Sequence, residues 1–137
     1  MKTRPYNPDS DYVEVASWWV DRTQVLPAKG LLGNTGILVT TDTGIPLAFV
    51  AVYGAVEGQT VAFLGFAATN PDPLWAYLTH EASLLAVRSA GAMSMAAGCS
   101  YVLTYTDVRA LRDTYLKAGF VEGSKGTLSD FILPIGV

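Results

Sequence analysis

The segment between Asp107 and Phe120 constrains the fold of this chain more than any other part of the sequence. Its acidic first residue can accept hydrogen bonds from the free N–H groups that begin a helix. Gly119 can adopt the left-handed conformation that ends one, and Phe120 and Val121 then start a strand. Tyr115 lies one helical turn before the glycine, so its position relative to that strand is closely fixed. The segment predicts a helix, a glycine stop and a strand in direct succession.

The rest of the sequence alternates strand patterns with two further helical patterns. Residues 8–11 begin the first helix, which we expect to fade near residues 22–24. Residues 70–73 (Asn-Pro-Asp-Pro) interrupt the strand pattern and open a long helix over residues 74–97. The predicted strands cover residues 3–6, 37–41, 46–53, 60–68, 100–105, 120–122 and 128–133.

This order, β-α-β-β-β-α-β-α-β-β, predicts an α+β or mixed α/β fold with one central sheet and helices on its faces. The strands over residues 37–68 form an antiparallel meander with hairpin connections. Neither a linker nor an internal repeat divides the sequence, so we expect one domain over residues 1–137.

Composition and charge disfavour several classes of function. Half of the residues are apolar and 15% are charged, which suits a filled core. The net charge is −3 without a run of Lys or Arg, so nucleic-acid binding is not expected. One cysteine, Cys99, and one histidine, His80, supply neither a disulfide nor a metal site. The polar N-terminus and the absence of a membrane-span pattern predict a cytoplasmic protein.

The Tyr115-x-x-x-Gly119-Phe120 ending, together with the element order, resembles the GNAT superfamily of acyl-CoA N-acyltransferases over nearly the whole chain. The resemblance implies a single central, mostly antiparallel sheet with helices on both faces. It implies that the strands before and after the long helix splay apart and receive the pantetheine arm of acetyl-CoA, the cosubstrate. It also implies that the long helix directs its N-terminus at the pyrophosphate.

The resemblance assigns roles to particular residues. Tyr115 would be the catalytic general acid that protonates the departing thiolate. The family's phosphate-loop pattern has Arg or Gln, then Gly, then Gly or Ala, where this chain has Leu74, Tyr77 and Thr79. Without those glycines the backbone approaches a pyrophosphate less closely, and Tyr77 could fill the space. The residues expected to bind the cofactor are Ala67, Ala68 and Thr69 on the strand and Leu78, Thr79 and His80 on the early helix.

The acceptor side is less specified. Trp18 and Trp19 are adjacent and point about 100° apart on a helix. Trp19 aligns with the apolar stripe and is expected in the core, which leaves Trp18 exposed near the loop of residues 25–34 as a candidate substrate contact. Asp72 and Glu57 are both candidate bases for the amine, and an ordered water is a third possibility.

Three functions remain open from the sequence. The first is transfer of an acetyl or other acyl group from acetyl-CoA to a small-molecule or protein amine. The second is a DNA-modifying enzyme similar to the Mom-type phage proteins, which fits the atypical phosphate loop but lacks a basic stripe. The third is a non-catalytic GNAT-like module that binds a protein or a small ligand.

Overall fold

The computed structural model describes residues 1–124 and 129–135. Its strands are β1 (Lys2–Pro5), β2 (Gly36–Thr40), β3 (Pro46–Tyr53), β4 (Val61–Thr69), β5 (Tyr101–Thr106), β6 (Val121–Ser124) and β7 (Ser129–Pro134). Its helices are α1 (Pro8–Asp21), α2 (Lys29–Leu32), α3 (Ala76–Ala96) and α4 (Arg109–Lys117), with a 3₁₀ turn (Pro73–Trp75) leading into α3. The predicted turn at Lys125 and Gly126, and the predicted strand start at Leu128, lie outside the described residues.

The strands form one sheet in the order β1-β2-β3-β4-β5-β7-β6. Every neighbouring pair is antiparallel except β4 and β5, which run parallel because α3 connects them. The predicted mixed α/β class with a mostly antiparallel sheet is confirmed.

Two apolar clusters place helices on both faces of the sheet. On one face, α3 and α4 contribute side chains such as Ala86, Ala90 and Tyr115 to a cluster with Val50 and Leu64 of the sheet. On the other face, α1 and α2 contribute the side chains Val15, Trp18 and Leu32, which pack with Leu38 and Phe49 of the sheet. Alternate residues of β2 and β3 therefore enter different clusters, as the pleat of a strand requires.

Helix α1 is fixed to the sheet at its start by a buried carboxylate. Both Asp11 carboxylate oxygens accept from the Arg4 guanidinium at 2.7 Å, and Asp11 Oδ2 also accepts from the Asn7 N–H at 2.8 Å. These contacts, chiefly the bond from Arg4, lower the pKa of Asp11 against the opposing effect of burial. Asn7 itself caps the helix through its side-chain oxygen, which accepts from the Asp9 N–H.

The start of α4 differs from expectation, whereas its end is as expected. Asp107 was expected to cap α4, but the N-cap is Val108, which has no side-chain capping bond. The Thr106 hydroxyl accepts from the Val108 N–H instead, and this bond holds the turn after β5. Gly119 has φ = +97°, the left-handed stop that the sequence predicts.

Candidate active site

The sheet opens between β4 and β5. The two strands pair in register from Val61 opposite Tyr101 to Leu64 opposite Thr104, and their pairing ends there. The Thr104 hydroxyl donates to the Leu64 carbonyl at 3.0 Å, which closes the narrow end of the opening. Both strands continue past this point, so a wedge lies between the last residues of β4 and β5.

A local irregularity turns β4 away from β5. Phe66 has φ = +50°, which is unusual for a residue with a side chain, and the register with β3 shifts between Phe49 and Ala51. An extra residue on one strand bends it and strengthens its twist, as in a β-bulge. The strained backbone at Phe66 therefore produces the wedge, and strain of this kind is found most often at functional sites.

A pocket of about 390 Å³ lies at the wide end of the wedge and contacts helices from both faces of the sheet. The wall formed by α1, by the residues just after it and by β4 consists of Trp18, Trp19, Arg22, Gln24, Ala67, Ala68 and Thr69. Its α3 and α4 walls are Thr79, His80, Ser83, Val108, Ala110, Leu111 and Thr114. The volume falls within the usual range for small-molecule sites.

Five of the six residues expected to bind the cofactor line this pocket, namely Ala67, Ala68, Thr69, Thr79 and His80. The Asn70 N–H donates to the Leu47 carbonyl at 2.9 Å, so the backbone of Asn70 faces β3. Because the backbone groups of a strand alternate in direction, the N–H and C=O of Thr69 face the wedge.

Leu78, the sixth residue expected to bind the cofactor, does not line the pocket. Leu78 is half-buried and packs against the α3–α4 cluster, because its position on α3 points to the core instead of the pocket. Tyr77 is also outside the pocket: its side chain is 75% exposed and does not fill the space left by the missing glycines.

The expected order of exposure of the two adjacent tryptophans is reversed. Trp18 is 1% exposed and belongs to the core cluster of α1, whereas Trp19 is half-buried and contacts the Phe66 ring edge-on at 6.4 Å. The reason is that the buried stripe of α1 includes Asp11. The ion pair with Arg4 makes burial of this carboxylate possible. Both tryptophans line the pocket, so Trp18 is a wall of the site without being exposed as predicted.

The backbone before α3 offers few free donors to a pyrophosphate. Pro71 and Pro73 have no N–H. The remaining N–H groups of residues 70–76 all have acceptors: Asn70 on Leu47 O, Asp72 on Asn70 Oδ1, Leu74 on Asp72 Oδ1, Trp75 on Asp72 O and Ala76 on Pro73 O. The Asp72 carboxylate thus occupies the position at a helix start that an anionic ligand would use.

Arg22 lies across the pocket from α3. It is the C-cap residue of α1, and its Nη1 donates to the Thr69 carbonyl at 2.7 Å and to the Trp18 carbonyl at 3.3 Å. Its Nη2 donates to the Thr69 hydroxyl at 2.8 Å. Partial burial lowers the pKa of Arg22, and the neighbouring Asp21 opposes this effect. The guanidinium therefore ties α1 to β4 and takes the carbonyl of Thr69 that was expected to contact the cofactor.

The opposite rim of the pocket carries two nitrogen groups. Lys117 Nζ lies 3.2 Å from His80 Nε2, which joins the end of α4 to the first turns of α3. An ammonium group has no acceptor, so the lysine donates and the imidazole accepts at Nε2. Because His80 lines the pocket, this pair places a positive charge at its edge.

Tyr115 is near the narrow end of the wedge but does not line the pocket. Its side chain is 1% exposed and its ring packs on Phe120 and Phe131 with centroids 5.4 and 5.5 Å away. Burial raises the pKa of its phenol, and a hydrogen bond with the Thr104 side chain opposes that effect. Thr114, the preceding residue, forms part of the pocket wall instead.

Neither candidate base lies in the pocket. Asp72 caps the turn before α3, and Glu57 lies in the turn between β3 and β4. The described lining residues include no carboxylate.

The most informative residue that the sequence reading missed is Arg22, whose only sequence signal was a basic residue at the end of an amphipathic helix.

Among the described residues, α3 is the longest helix, and neither it nor the other helices are apolar enough over a sufficient length to cross a membrane. No protein-family model matches the sequence, and no curated protein matches it either. Similarity is found among solved structures.

The aminoglycoside 6′-acetyltransferase type Ii matches with a TM-score of 0.74 and 9% identity over 98% of this chain and 97% of that one. The ribosomal-protein-S18-alanine N-acetyltransferase from Escherichia coli matches with a TM-score of 0.74 and 13% identity over 99% of this chain and 94% of that one. A third match, with a TM-score of 0.71 and 8% identity over 98% of this chain and 88% of that one, is a GNAT superfamily phosphinothricin acetyltransferase from Sinorhizobium meliloti. That enzyme was solved in complex with acetyl-CoA. The chain has the fold of the GNAT N-acyltransferases.

Proposed function

We propose that this protein is an N-acyltransferase that moves an acetyl group from acetyl-CoA to an amine. The observation that carries the proposal is the wedge between β4 and β5, which ends at Leu64 and Thr104 and opens into a pocket of about 390 Å³. A thioester arm laid in this wedge replaces the missing strand pairing with hydrogen bonds to the exposed backbone. The same fold houses acetyl-CoA in the acetyltransferase from S. meliloti.

The proposed donor site uses strand backbone near the reacting group and side chains at the rim. Ala67 and Ala68 have small side chains that leave room for the arm, and the Thr69 N–H faces the wedge. Because the residues before α3 have their N–H groups engaged, the phosphates would be held by Lys117 and His80 instead. Electrostatic attraction from side chains would then replace a backbone cradle.

In the proposed reaction, the amine nitrogen forms a bond to the thioester carbonyl carbon and the carbon–sulfur bond breaks. The amine loses a proton, for which a water molecule is the proposed acceptor, and the departing thiolate gains one. We assign that second proton to Tyr115, whose phenol carries its proton at neutral pH, and the phenolate regains a proton from the water that accepted the one from the amine. Because Tyr115 is buried, this role requires the wedge to open further near Thr104 when the donor binds.

A non-catalytic binding module is the second candidate. It is favoured by one observation, the engagement of every N–H group in residues 70–76, which leaves a pyrophosphate no backbone donor in the segment before Tyr77. Such a module would keep the pocket but would neither bind acetyl-CoA nor transfer its acetyl group.

Calorimetric titration with acetyl-CoA separates the two candidates. We expect saturable binding by the unaltered protein and at least about a tenfold weaker affinity in Ala110→Trp, because the indole would occupy the pocket. Leu116→Trp is the matched control: it adds the same side chain on the exposed face of α4, outside the pocket, and should leave the affinity unchanged. Absence of heat at saturating acetyl-CoA would contradict the acyltransferase proposal.

A further inference from the structure

A positive charge faces the pocket at Arg22 without a carboxylate to pair with. Its guanidinium contacts only the neutral oxygens of Trp18 and Thr69, and none of the described carboxylates lies within 4.0 Å of it. Asp21, the neighbouring residue in the chain, is the described acid that acts on it electrostatically. By contrast, the guanidinium of Arg4 is paired with Asp11 at 2.7 Å.

The guanidinium is held in place and still has donors to offer. Three hydrogen bonds fix it against the end of β4, so little side-chain freedom is lost when a ligand binds. A guanidinium has five N–H donors in a planar fork that matches a carboxylate, and Arg22 remains partly exposed. Its position beside Thr69 also places it next to the strand that would present the acyl group.

We propose that Arg22 binds a carboxylate of the substrate, so that the preferred acceptor is an amine that also carries a carboxylate. This inference rests on the acyltransferase function in naming the ligand as an acceptor. The indole rings of Trp18 and Trp19 on the same wall favour an apolar or aromatic group next to that carboxylate. An amino acid with an aromatic side chain has all three features and serves as the probe.

The binding test does not require catalysis. N-acetylphenylalanine and its primary amide differ only in the carboxylate, and each is titrated calorimetrically into the unaltered protein, Arg22→Gln and Arg88→Gln. We expect the acid to bind about tenfold more tightly than the amide, the gain typical of one charge-assisted hydrogen bond. Arg22→Gln should abolish this preference. Arg88→Gln, which removes an exposed guanidinium outside the pocket, should preserve it.

The test also separates a binding role from an anchoring role. If Arg22 only ties α1 to β4, Arg22→Gln will weaken binding of the acid and the amide by equal factors, and the proposal is overturned. It is equally overturned if the unaltered protein binds acid and amide alike or binds neither. Arg22→Lys keeps the positive charge without the planar fork of donors and should retain part of the preference for the acid over the amide. Circular dichroism checks that each variant is folded.

A second arm identifies which substrate carries the carboxylate. Succinyl-CoA and acetyl-CoA are compared as donors, each with phenylalanine and with phenethylamine as acceptor. A rate advantage for phenylalanine that disappears in Arg22→Gln assigns the carboxylate to the acceptor. An Arg22-dependent advantage for succinyl-CoA with phenethylamine would assign it to the donor and overturn the acceptor class. Failure to bind any CoA thioester would remove the acyltransferase function, while the titrations above would still decide whether Arg22 recognises a carboxylate.

Discussion

At the two helix ends that face the pocket, a charged side chain opposes the partial charge of the helix dipole. The C-terminal end of a helix carries partial negative charge, yet α1 presents the Arg22 guanidinium there, bound to the Trp18 carbonyl. The N-terminal end carries partial positive charge, yet the turn leading into α3 is capped by the Asp72 carboxylate. Besides Lys117 at the opposite rim, a ligand anion therefore finds a second cation at the end of α1, where the helix dipole alone would repel it.

This difference shows that side chains, and not the fold, decide where this pocket accepts negative charge. A helix start binds anions through free N–H groups, and Asp72 takes one of the few that the prolines leave before α3. A helix end accepts cations through its free carbonyls, and Arg22 uses one of these while keeping other donors free. Two chains with the same sheet and helices can thus offer opposite charges at the same places.

The largest expected effect concerns the narrow end of the wedge, where Tyr115 lies beside Thr104. Tyr115→Phe removes the proposed proton donor, and we expect kcat for acetyl transfer to fall about a hundredfold. Stability should fall by only about 1 kcal/mol, since one hydrogen bond with Thr104 is lost. Steady-state kinetics and urea unfolding measure the two effects. Tyr105→Phe alters an exposed side chain of β5 and should change neither. An unchanged kcat in Tyr115→Phe would remove the phenol from the mechanism.

The next effect tests what holds α1, and so Arg22, in position. Asp11→Asn breaks the paired bonds from Arg4, and we expect the free energy of unfolding to fall by about 2 kcal/mol. Asp9→Asn is the control, because Asp9 is exposed and its contact with Lys29 is a surface pair of little consequence. A loss of equal size in both variants would mean that the Arg4–Asp11 pair does not anchor the helix.

The same pair predicts a pH dependence. Because the pKa of Asp11 is lowered in the folded state, its stabilisation is complete above its unfolded pKa of about 3.9 and is lost as the pH falls through the folded pKa. The difference in unfolding free energy between the unaltered protein and Asp11→Asn should therefore stay constant above about pH 5 and shrink in more acidic solution. A difference that grows as the pH falls would contradict the direction of the shift.

The sequence predicted those features of the fold that local chemistry determines. Gly119 ends α4 because its conformation suits a left-handed stop, and Asn70 and Pro71 end the strand pattern before α3. The opening between β4 and β5 followed from a resemblance based on element order and the end of α4. Each element in that order, and the glycine stop of α4, is read from a local pattern and needs no knowledge of distant contacts.

The features that the sequence reading missed depend on distant partners. Arg22 and Thr69 are 47 residues apart, so no local pattern joins them. Trp18 was expected at the surface because Trp19 was aligned with the apolar stripe of α1. The buried stripe instead includes Asp11 and Trp18, since Arg4 from β1 pairs with the Asp11 carboxylate and allows it to be buried. Leu78 was assigned to the cofactor because it lies in the early turns of the long helix, but it belongs to the face of α3 that packs against the core.

The smallest expected effect tests most directly whether a side-chain charge at the start of α3 opposes the helix dipole. Asp72→Asn keeps a side-chain oxygen that can cap the turn before α3 and removes only the negative charge, so stability should hardly change. Removing that charge restores the attraction of the helix start for an anion, and we expect acetyl-CoA to bind about threefold to fivefold more tightly at low ionic strength, with the gain declining as salt is added. Glu57→Gln removes the same charge in a turn away from the pocket and should leave the affinity unchanged. If Asp72→Asn and Glu57→Gln have the same effect on acetyl-CoA affinity in calorimetric titrations, the start of α3 does not face the donor phosphates. The charge of Asp72 then does not influence anion binding, and of the two helix ends only that of α1, through Arg22, does.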